Sequence, residues 1–191
     1  MSTPMESWPR RHRITVHEYH RMAEVGLLAP DARVELIEGE IVDMAPIGTE
    51  HGSVVDQLNR LLTRAVGDLA IVRIQGAIRL SQITEPEPDV AVLKARADFY
   101  RHEQPPGTDT LLVVEVSDST LRYDRDVKVP LYARHGVAEV WIVDLQRGRV
   151  LFYASPADGE YRKQSSVDRP AMTPLAALPS VSVDLSGLLE P

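Results

Sequence analysis

The chain has 191 residues, of which 43% are hydrophobic and 26% charged, and its formal net charge at pH 7 is −7. These values are ordinary for one globular domain with a core of its own. The complete lack of cysteine excludes disulfides, thiolate zinc sites and a cysteine nucleophile. No apolar run approaches the roughly 18 residues that span a bilayer, and the first residues carry no apolar signal segment. We therefore expect a cytoplasmic protein with no membrane partner.

The acidic balance bears on possible partners. Proteins that grip DNA by neutralising phosphates usually carry a net positive surface, so this composition argues against tight non-specific DNA binding. It does not exclude catalysis on nucleic acid, because part of a nuclease's negative charge is its metal site, which bound divalent cations neutralise.

The N-terminal part predicts an arm, a helix and a hairpin. Residues 1–13 are polar and contain proline, which predicts a flexible arm, with a single domain over 14–191. Amphipathic spacing predicts a helix from Thr15 to Leu28, with Thr15 as its N-cap. Apolar segments on either side of Gly39 predict a β-hairpin over 33–44.

The clearest helix is predicted over 50–69, where apolar side chains repeat at helical spacing. His51 lies on the inward edge of its first turn. Short β-branched runs then predict strands at 71–74, 77–80 and 89–93.

The second half predicts three further strands, at Leu111–Val116, Val137–Val143 and Arg149–Tyr153. Scattered apolar residues and two prolines favour irregular coil from Met172 to Pro191. The densest apolar runs and the inward helix face predict these core residues: Leu58, Leu62, Val113, Val114, Val116, Val140 and Ile142.

A helix is expected between the strands at 111–116 and 137–143, and Pro130 leaves two alternatives for it. Either the helix starts near Val129 with proline in its first turn, or a helix starting near Arg122 is kinked. Gly136 is suited to the position just beyond its end. Helices alternating with strands of this kind predict an α/β or α+β domain with a mixed sheet.

Two carboxylates lie at the ends of predicted buried strands. Asp89 opens the run Asp-Val-Ala-Val-Leu, and Glu115 ends the run Leu-Leu-Val-Val-Glu. Buried carboxylates are costly unless they are paired, hydrogen-bonded or bound to a cation. Lys128 follows in a polar segment that can reach back to them. Two acids and an amine at a sheet edge are the groups that metal-dependent phosphodiester cleavage requires.

Each of these residues also has an ordinary structural interpretation. Asp89 after a proline is usually a turn or cap residue, and Glu115 is compatible with an exposed strand edge. Lys128 alone predicts a solvated lysine, or a surface ion pair with Asp124 one turn earlier. His51 alone favours a helix-start or core histidine, and Glu35 is compatible with plain surface. Their combination is what favours a site.

At these residues the chain resembles the Uma2 family of putative restriction endonucleases, within the PD-(D/E)XK nuclease superfamily. The matching segments stand in a fixed order along the chain: Arg33-Val-Glu-Leu-Ile-Glu-Gly-Glu-Ile, His51, Glu87-Pro-Asp-Val-Ala-Val-Leu, Val114-Glu-Val-Ser-Asp-Ser-Thr, Tyr123-Asp-Arg-Asp-Val-Lys and Leu131-Tyr-Ala-Arg-His-Gly-Val-Ala-Glu-Val-Trp-Ile-Val-Asp. The resemblance covers the chain from about Thr15 to Tyr153. It implies a restriction-endonuclease-like core, with a mixed β-sheet flanked by helices.

The resemblance also implies roles for individual residues. Asp89 and Glu115 match the acidic pair of the superfamily, and Glu35 matches the early acid that completes the metal shell in many members. The simplest superfamily pattern has a lysine two residues after the glutamate, where this chain has Ser117, so the resemblance implies that Lys128 replaces it. His51 has no universal role in the superfamily and is expected to orient a ligand or a phosphate.

The sequence thus supports a metal-dependent endonuclease, with DNA as the expected substrate. Asp89, Glu115 and Glu35 are the expected ligands of Mg²⁺, with Mn²⁺ as an alternative, and Lys128 and His51 are the further site residues. Gln75 is a further candidate for the site's lining, because a polar side chain in an apolar strand needs a partner.

The alternative is a nuclease-like binding module without turnover, which the acidic charge and the absent lysine at Ser117 favour. Hydrolysis of another phosphorylated substrate is a third possibility. A basic groove beside the acids would support the nuclease, and an acidic rim would oppose it. Because cleavage of both strands needs two sites, and two-fold assemblies are the commonest, a homodimer is expected.

Overall fold

The computed structural model describes residues 11–190, so most of the predicted arm at 1–13 lies outside the described residues. Helix α1 (Val16–Glu24) begins at Thr15, as predicted. The Thr15 hydroxyl accepts from the Glu18 backbone N–H, and the Glu18 carboxylate accepts from the Thr15 N–H, which forms a capping box. The helix ends four residues before Leu28, because the chain turns at Gly26 with φ +75°.

The predicted hairpin consists of β1 (Val34–Ile37) and β2 (Glu40–Asp43). Ile37 pairs with Glu40, so only Glu38 and Gly39 form the loop. Both have positive φ, 49° and 79°, which is the backbone of a type I′ turn.

One six-stranded mixed sheet organises the rest of the fold. Its strands stand in the order β3-β4-β5-β6-β7-β8. Only β5 and β6 run parallel, and the other neighbours are antiparallel. The strands are β3 (Ala70–Ile74), β4 (Val90–Lys94), β5 (Thr110–Ser117), β6 (Glu139–Asp144), β7 (Arg149–Ala157) and β8 (Glu160–Asp168). The mixed sheet flanked by helices confirms the predicted fold class.

Helices cover both faces of this sheet. The long helix α2 (Thr49–Val66) packs its apolar stripe on the face formed by Val90, Val92, Leu112 and Val114. A shorter helix, α4 (Val129–Arg134), packs on the face that carries Val113 and Val140. All seven predicted core residues are buried, with at most 3% exposure.

The helix between β5 and β6 combines the two sequence alternatives. It begins with α3 (Leu121–Tyr123), widens into a π-helical turn over Asp124–Lys128, and continues as α4. Pro130 stands at the start of α4, where its missing N–H is tolerated because the preceding π turn has already changed the hydrogen-bond pattern. Gly136 follows the C-cap with φ +78°, as predicted.

Three segments differ from the sequence prediction. Residues 77–80 form no strand, because Gln75 turns the chain with φ 45° and the following N–H groups bond to loop carbonyls such as Pro86 O and Pro105 O. The tail is not coil: β9 (Met172–Leu175) and β10 (Leu178–Asp184) pair as a hairpin that contributes Val181 and Val183 to the core. The edge strand β8 was not predicted, because its side chains are almost all polar and exposed. No helix in residues 11–190 is long and apolar enough to cross a membrane.

Candidate active site

The sheet brings Asp89 and Glu115 to the same place. Asp89 directly precedes β4, and β4 pairs antiparallel with β5 so that Val90 stands opposite Val114. Asp89 Oδ2 accepts a hydrogen bond from the backbone N–H of Val116 at 2.8 Å. Both acids are buried, with 8% and 4% exposure. The register of two neighbouring strands therefore places the two carboxyl groups at one end of the sheet.

Lys128 reaches these acids from the π-helical turn. It is 4% exposed, and its Nζ lies 3.1 Å from Glu115 Oε1 and 3.1 Å from Glu35 Oε2. Burial opposes its charge, but the two carboxylates outweigh burial and raise the pKa of Lys128 above its ordinary value. The alternative surface pair with Asp124 does not form.

Asp124 has different partners. Its Oδ2 accepts from the hydroxyls of Ser117 and Thr120, both at 2.6 Å. Ser117 and Glu115 are two residues apart in β5 and therefore face the same side of the sheet. The position where the simplest superfamily pattern has lysine is thus occupied by a fully buried serine, and Lys128 approaches the same face from the helix.

Tyr132 is a site residue that the sequence analysis missed. Its hydroxyl donates to Glu115 Oε1 at 2.5 Å, so this oxygen accepts hydrogen bonds from both Tyr132 and Lys128. The signal was spacing: residues four apart on a helix share a face, and Tyr132 is four residues after Lys128.

Glu35 joins the site from the hairpin. Its exposure is 2%, and its Oε2 accepts from the backbone N–H of Glu87 at 3.3 Å in addition to Lys128. The hairpin therefore supplies a third carboxylate that shares the ammonium with Glu115.

His51 approaches Asp89 from the first turn of α2. Its Nε2 donates to Asp89 Oδ2 at 3.2 Å. This hydrogen bond is the main reason that the pKa of His51 is raised, although burial opposes it. Its other ring nitrogen, Nδ1, is buried and has no partner within residues 11–190. All five predicted site residues therefore meet in one place, and their chemical roles remain predictions.

These residues line one cleft of about 400 Å³. Its carboxylates outnumber its fixed cations, which are Arg33 and Lys128. The acids are Glu35, Asp43, Glu87, Asp89, Glu115, Asp118 and Asp124. Burial, partly offset by Lys128, raises the pKa of Glu115 to about 8, and burial likewise raises the pKa of Glu87. Such a cluster of hard oxygen donors is favourable for a divalent cation.

The carboxylate oxygens of this cleft fit a Mg²⁺ ion that is held by only a few protein ligands. Within residues 11–190, Asp89 Oδ1 and Glu115 Oε2 accept no hydrogen bond, so each acid retains an oxygen for a cation. No three His, Asp or Glu side chains of the described chain are already arranged as a ligand set. Mg²⁺ tolerates this, because it keeps several waters and is usually held by one or two carboxylates together with substrate phosphate oxygens.

Gln75 is not part of this cleft, contrary to the sequence prediction. Its side chain is exposed beyond the end of β3, and its backbone N–H donates to the carbonyl of Asp89. The side chain needs no protein partner because it reaches solvent. Tyr123, Asp118 and Arg33 line the cleft instead.

Comparisons with known proteins agree with this architecture. Residues 16–186 match the family model Uma2, described as "Putative restriction endonuclease". An uncharacterized protein of Synechocystis, sll1609, is 29% identical over 133 residues, which are 66% of this chain and 75% of that protein. A crystal structure of a putative nuclease of the DUF820 group from Anabaena variabilis superposes with a TM-score of 0.70 at 16% identity, over 92% of this chain and 97% of that one. Because the Uma2 model spans nearly the whole chain, the protein belongs to the Uma2 family.

Proposed function

We propose that this protein is a metal-dependent endonuclease that hydrolyses phosphodiester bonds of nucleic acid, with DNA as the expected substrate. The observation that carries the proposal is the buried meeting of Asp89, Glu115 and Lys128 in one cleft. A lysine fully buried between two carboxylates is costly to assemble, and perturbed ionisable groups of this kind concentrate at functional sites.

Asp89 and Glu115 would hold Mg²⁺, or Mn²⁺ in its place, with Glu35 assisting. When bound, the cation would polarise a phosphoryl oxygen and lower the pKa of a bound water. Lys128 would donate a hydrogen bond to the attacking water or to the developing negative charge on the phosphate.

Two further side chains would keep the acids in position. Tyr132 and Lys128 both donate to Glu115 Oε1, so its Oε2 would be the oxygen available to a cation. His51 and the Val116 N–H hold Asp89 in the same way. These contacts fix the carboxylates before any ligand binds, and such fixation lowers the cost of reorganisation during catalysis.

The test is cleavage of circular DNA in Mg²⁺ or Mn²⁺, with EDTA as the metal-free control. Supercoiled plasmid and single-stranded circles are both used, so that strand preference does not hide activity. We expect Asp89→Asn to lower the rate by about 100-fold or more, because it weakens metal binding. Asp158→Asn is the matched control, since Asp158 is 86% exposed in the β7–β8 turn. Full activity of folded Asp89→Asn would refute the assignment.

A binding module without turnover is the second candidate, and two observations favour it. Lys128 is already paired with both Glu115 and Glu35. The cleft is lined mainly by acids, whereas a basic groove was the feature that would have supported a nuclease. This candidate predicts no cleavage in either metal, together with a raised melting temperature in Mg²⁺ that Asp89→Asn abolishes. The endonuclease proposal predicts both the rise in melting temperature with Mg²⁺ and cleavage of DNA.

Homodimerisation and a cytoplasmic location also remain proposals. Two-strand cleavage needs two sites, which a two-fold dimer supplies, and the absence of cysteine is compatible with a reducing compartment. Light scattering coupled to gel filtration measures the first, and cell fractionation measures the second.

A further inference from the structure

The shape of the cleft restricts which nucleic acid can reach its acids. Glu35, Asp89, Glu115 and Lys128 are all at most 8% exposed, so they lie at the bottom of the cleft. Its volume of about 400 Å³ is typical of a site for one small molecule. A stiff duplex cannot be enclosed in a cavity of that size and could present only a phosphate to it, whereas one unstacked nucleotide of a flexible strand can enter it.

The charge of the cleft also disfavours an intact duplex. Duplex DNA carries one negative charge per about 1.7 Å of its axis, and proteins bind it by neutralising several phosphates with Lys and Arg. Only Arg33 and Lys128 supply fixed positive charge to this lining, and Lys128 is already paired with two carboxylates. Within the cleft, the affinity for nucleic acid must therefore depend on contacts other than phosphate neutralisation.

The wall formed by the β2–α2 connection offers such contacts. Met44, Ala45 and Pro46 line the cleft above its acidic floor, and Val42 continues the apolar surface. Ala45 and Pro46 are exposed. An apolar wall gains nothing from a phosphate, but it can pack against the face of an unstacked base, in the way that aromatic side chains do in sequence-tolerant sites for single strands.

Tyr123 supplies an unsatisfied polar group in the same cleft. Its hydroxyl is buried and has no hydrogen-bond partner within residues 11–190, although the residue lines the cavity. A buried hydroxyl without a partner is costly, and few such groups occur in folded proteins. A ligand in the cleft would provide the missing partner.

We propose that the cleft accepts one unstacked nucleotide of a single-stranded nucleic acid, with the base against Met44 and Pro46 and the Tyr123 hydroxyl bonded to the nucleotide. This inference rests on the proposed function for its acidic floor and adds the substrate class. Single-stranded segments, rather than intact duplex, are then the substrate.

Binding and cleavage are measured separately. Binding is followed by the fluorescence anisotropy of a labelled oligothymidine and of a labelled hairpin duplex, with Ca²⁺ present. We expect the single strand to bind at least about 10-fold more tightly, since base–aromatic and base–apolar packing is available only to an unstacked base. Equal binding, tighter duplex binding, or no binding of either probe would overturn the inference.

Cleavage of single-stranded circles is then compared with cleavage of relaxed duplex circles in Mg²⁺. Faster cutting of the single strand supports the inference. Equal or faster cutting of the duplex overturns it, while the proposed nuclease stands. Cutting of neither substrate, with selective single-strand binding retained, would leave the substrate class supported and the proposed catalysis refuted.

Two variants test the residues themselves. Tyr123→Phe should weaken oligothymidine binding by about 3- to 10-fold, the effect of one lost hydrogen bond, and should not lower the melting temperature, because no protein partner is lost. Met44→Ala should weaken it by a similar factor. Met172→Ala is its matched control, since Met172 is 64% exposed on β9 and absent from the cleft. Unchanged binding by both folded cleft variants would contradict the proposed placement of the nucleotide.

Discussion

The cost of removing Lys128 provides a quantitative test of the site. In Lys128→Met the buried volume is nearly kept, but Glu35 and Glu115 lose the ammonium that lies 3.1 Å from each. Removing one partner of a buried ion pair typically costs about 3–5 kcal/mol, because the remaining charge stays buried without compensation. Since whole domains are stable by only about 5–15 kcal/mol, we expect a large fall in the free energy of unfolding at pH 7.5.

The pH dependence of this variant separates an electrostatic cause from a packing defect. Burial raises the pKa of Glu115 to about 8 even though Lys128 lowers it. Without the ammonium this pKa rises further, so above about pH 8 the folded variant keeps a proton on Glu115 that the folded wild type has released. Stability falls with rising pH wherever the folded state binds more protons than the unfolded state. The difference between variant and wild type should therefore widen by up to about 1.4 kcal/mol per pH unit above about pH 8.

Urea unfolding followed by circular dichroism at pH 7.0, 8.0 and 9.0 measures this difference. Lys163→Met is the matched control, because Lys163 is exposed on the edge strand β8 and its loss should cost less than about 0.5 kcal/mol. A loss below about 1 kcal/mol for Lys128→Met, or a loss independent of pH, would refute the argument that this lysine compensates two buried carboxylates.

Three other substitutions test contacts around the site and core. Tyr132→Phe removes the hydroxyl that donates to Glu115 at 2.5 Å. At pH 9, above the pKa of about 8 for Glu115, it should cost about 1.5–3 kcal/mol, as expected for a bond to a charged group. Tyr161→Phe, whose hydroxyl donates to the carbonyl of Val137, should cost less, and equal losses in thermal unfolding at that pH would contradict the charge argument. In Glu139, one carboxylate oxygen accepts from Trp141 Nε1 and the other from the Ala176 N–H, each at 2.7 Å. Glu139→Gln turns one of these acceptors into a donor and should cost about 1–3 kcal/mol. An unchanged urea midpoint would argue against both contacts. Leu58→Ala, at a fully buried position of α2, should cost about 2–5 kcal/mol, whereas Leu69→Ala, 58% exposed at the end of the following turn, should cost far less in the same urea titration.

Local sequence patterns determined much of the secondary structure of this protein and some of its site residues. The apolar spacing in 50–69 determined α2 because a helix must bury one stripe. The β-branched runs before Lys94 and Ser117 determined the two strands that carry the acids, because both faces of a central strand need apolar contacts. Asp89, Glu115 and Lys128 were identifiable because charged groups beside buried strands need a partner, whereas Glu35 and His51 were assigned from the resemblance to the Uma2 family.

Other features depended on contacts between distant parts of the chain. The edge strand β8 has polar, exposed side chains, so only its backbone pairing with β7 makes it a strand. The β9–β10 hairpin tolerates Pro174 and Pro179 because it is a separate two-stranded sheet at which few ladder bonds are required. Spacing along the sequence indicated neither pairing, since hydrogen-bond partners of a strand are set by the fold.

The identity of the partners at the site was also decided by tertiary structure. Asp124, four residues before Lys128, had the spacing for a helical ion pair, but it is bound by two hydroxyls while Lys128 reaches Glu115 and Glu35. The π-helical turn changes the helix register between them, and burial makes the long-range pairing more favourable than a solvated local one, because charges interact more strongly where water is excluded. The sequence determined which charged groups need partners, and the packing of helix, hairpin and sheet decided which partners they have.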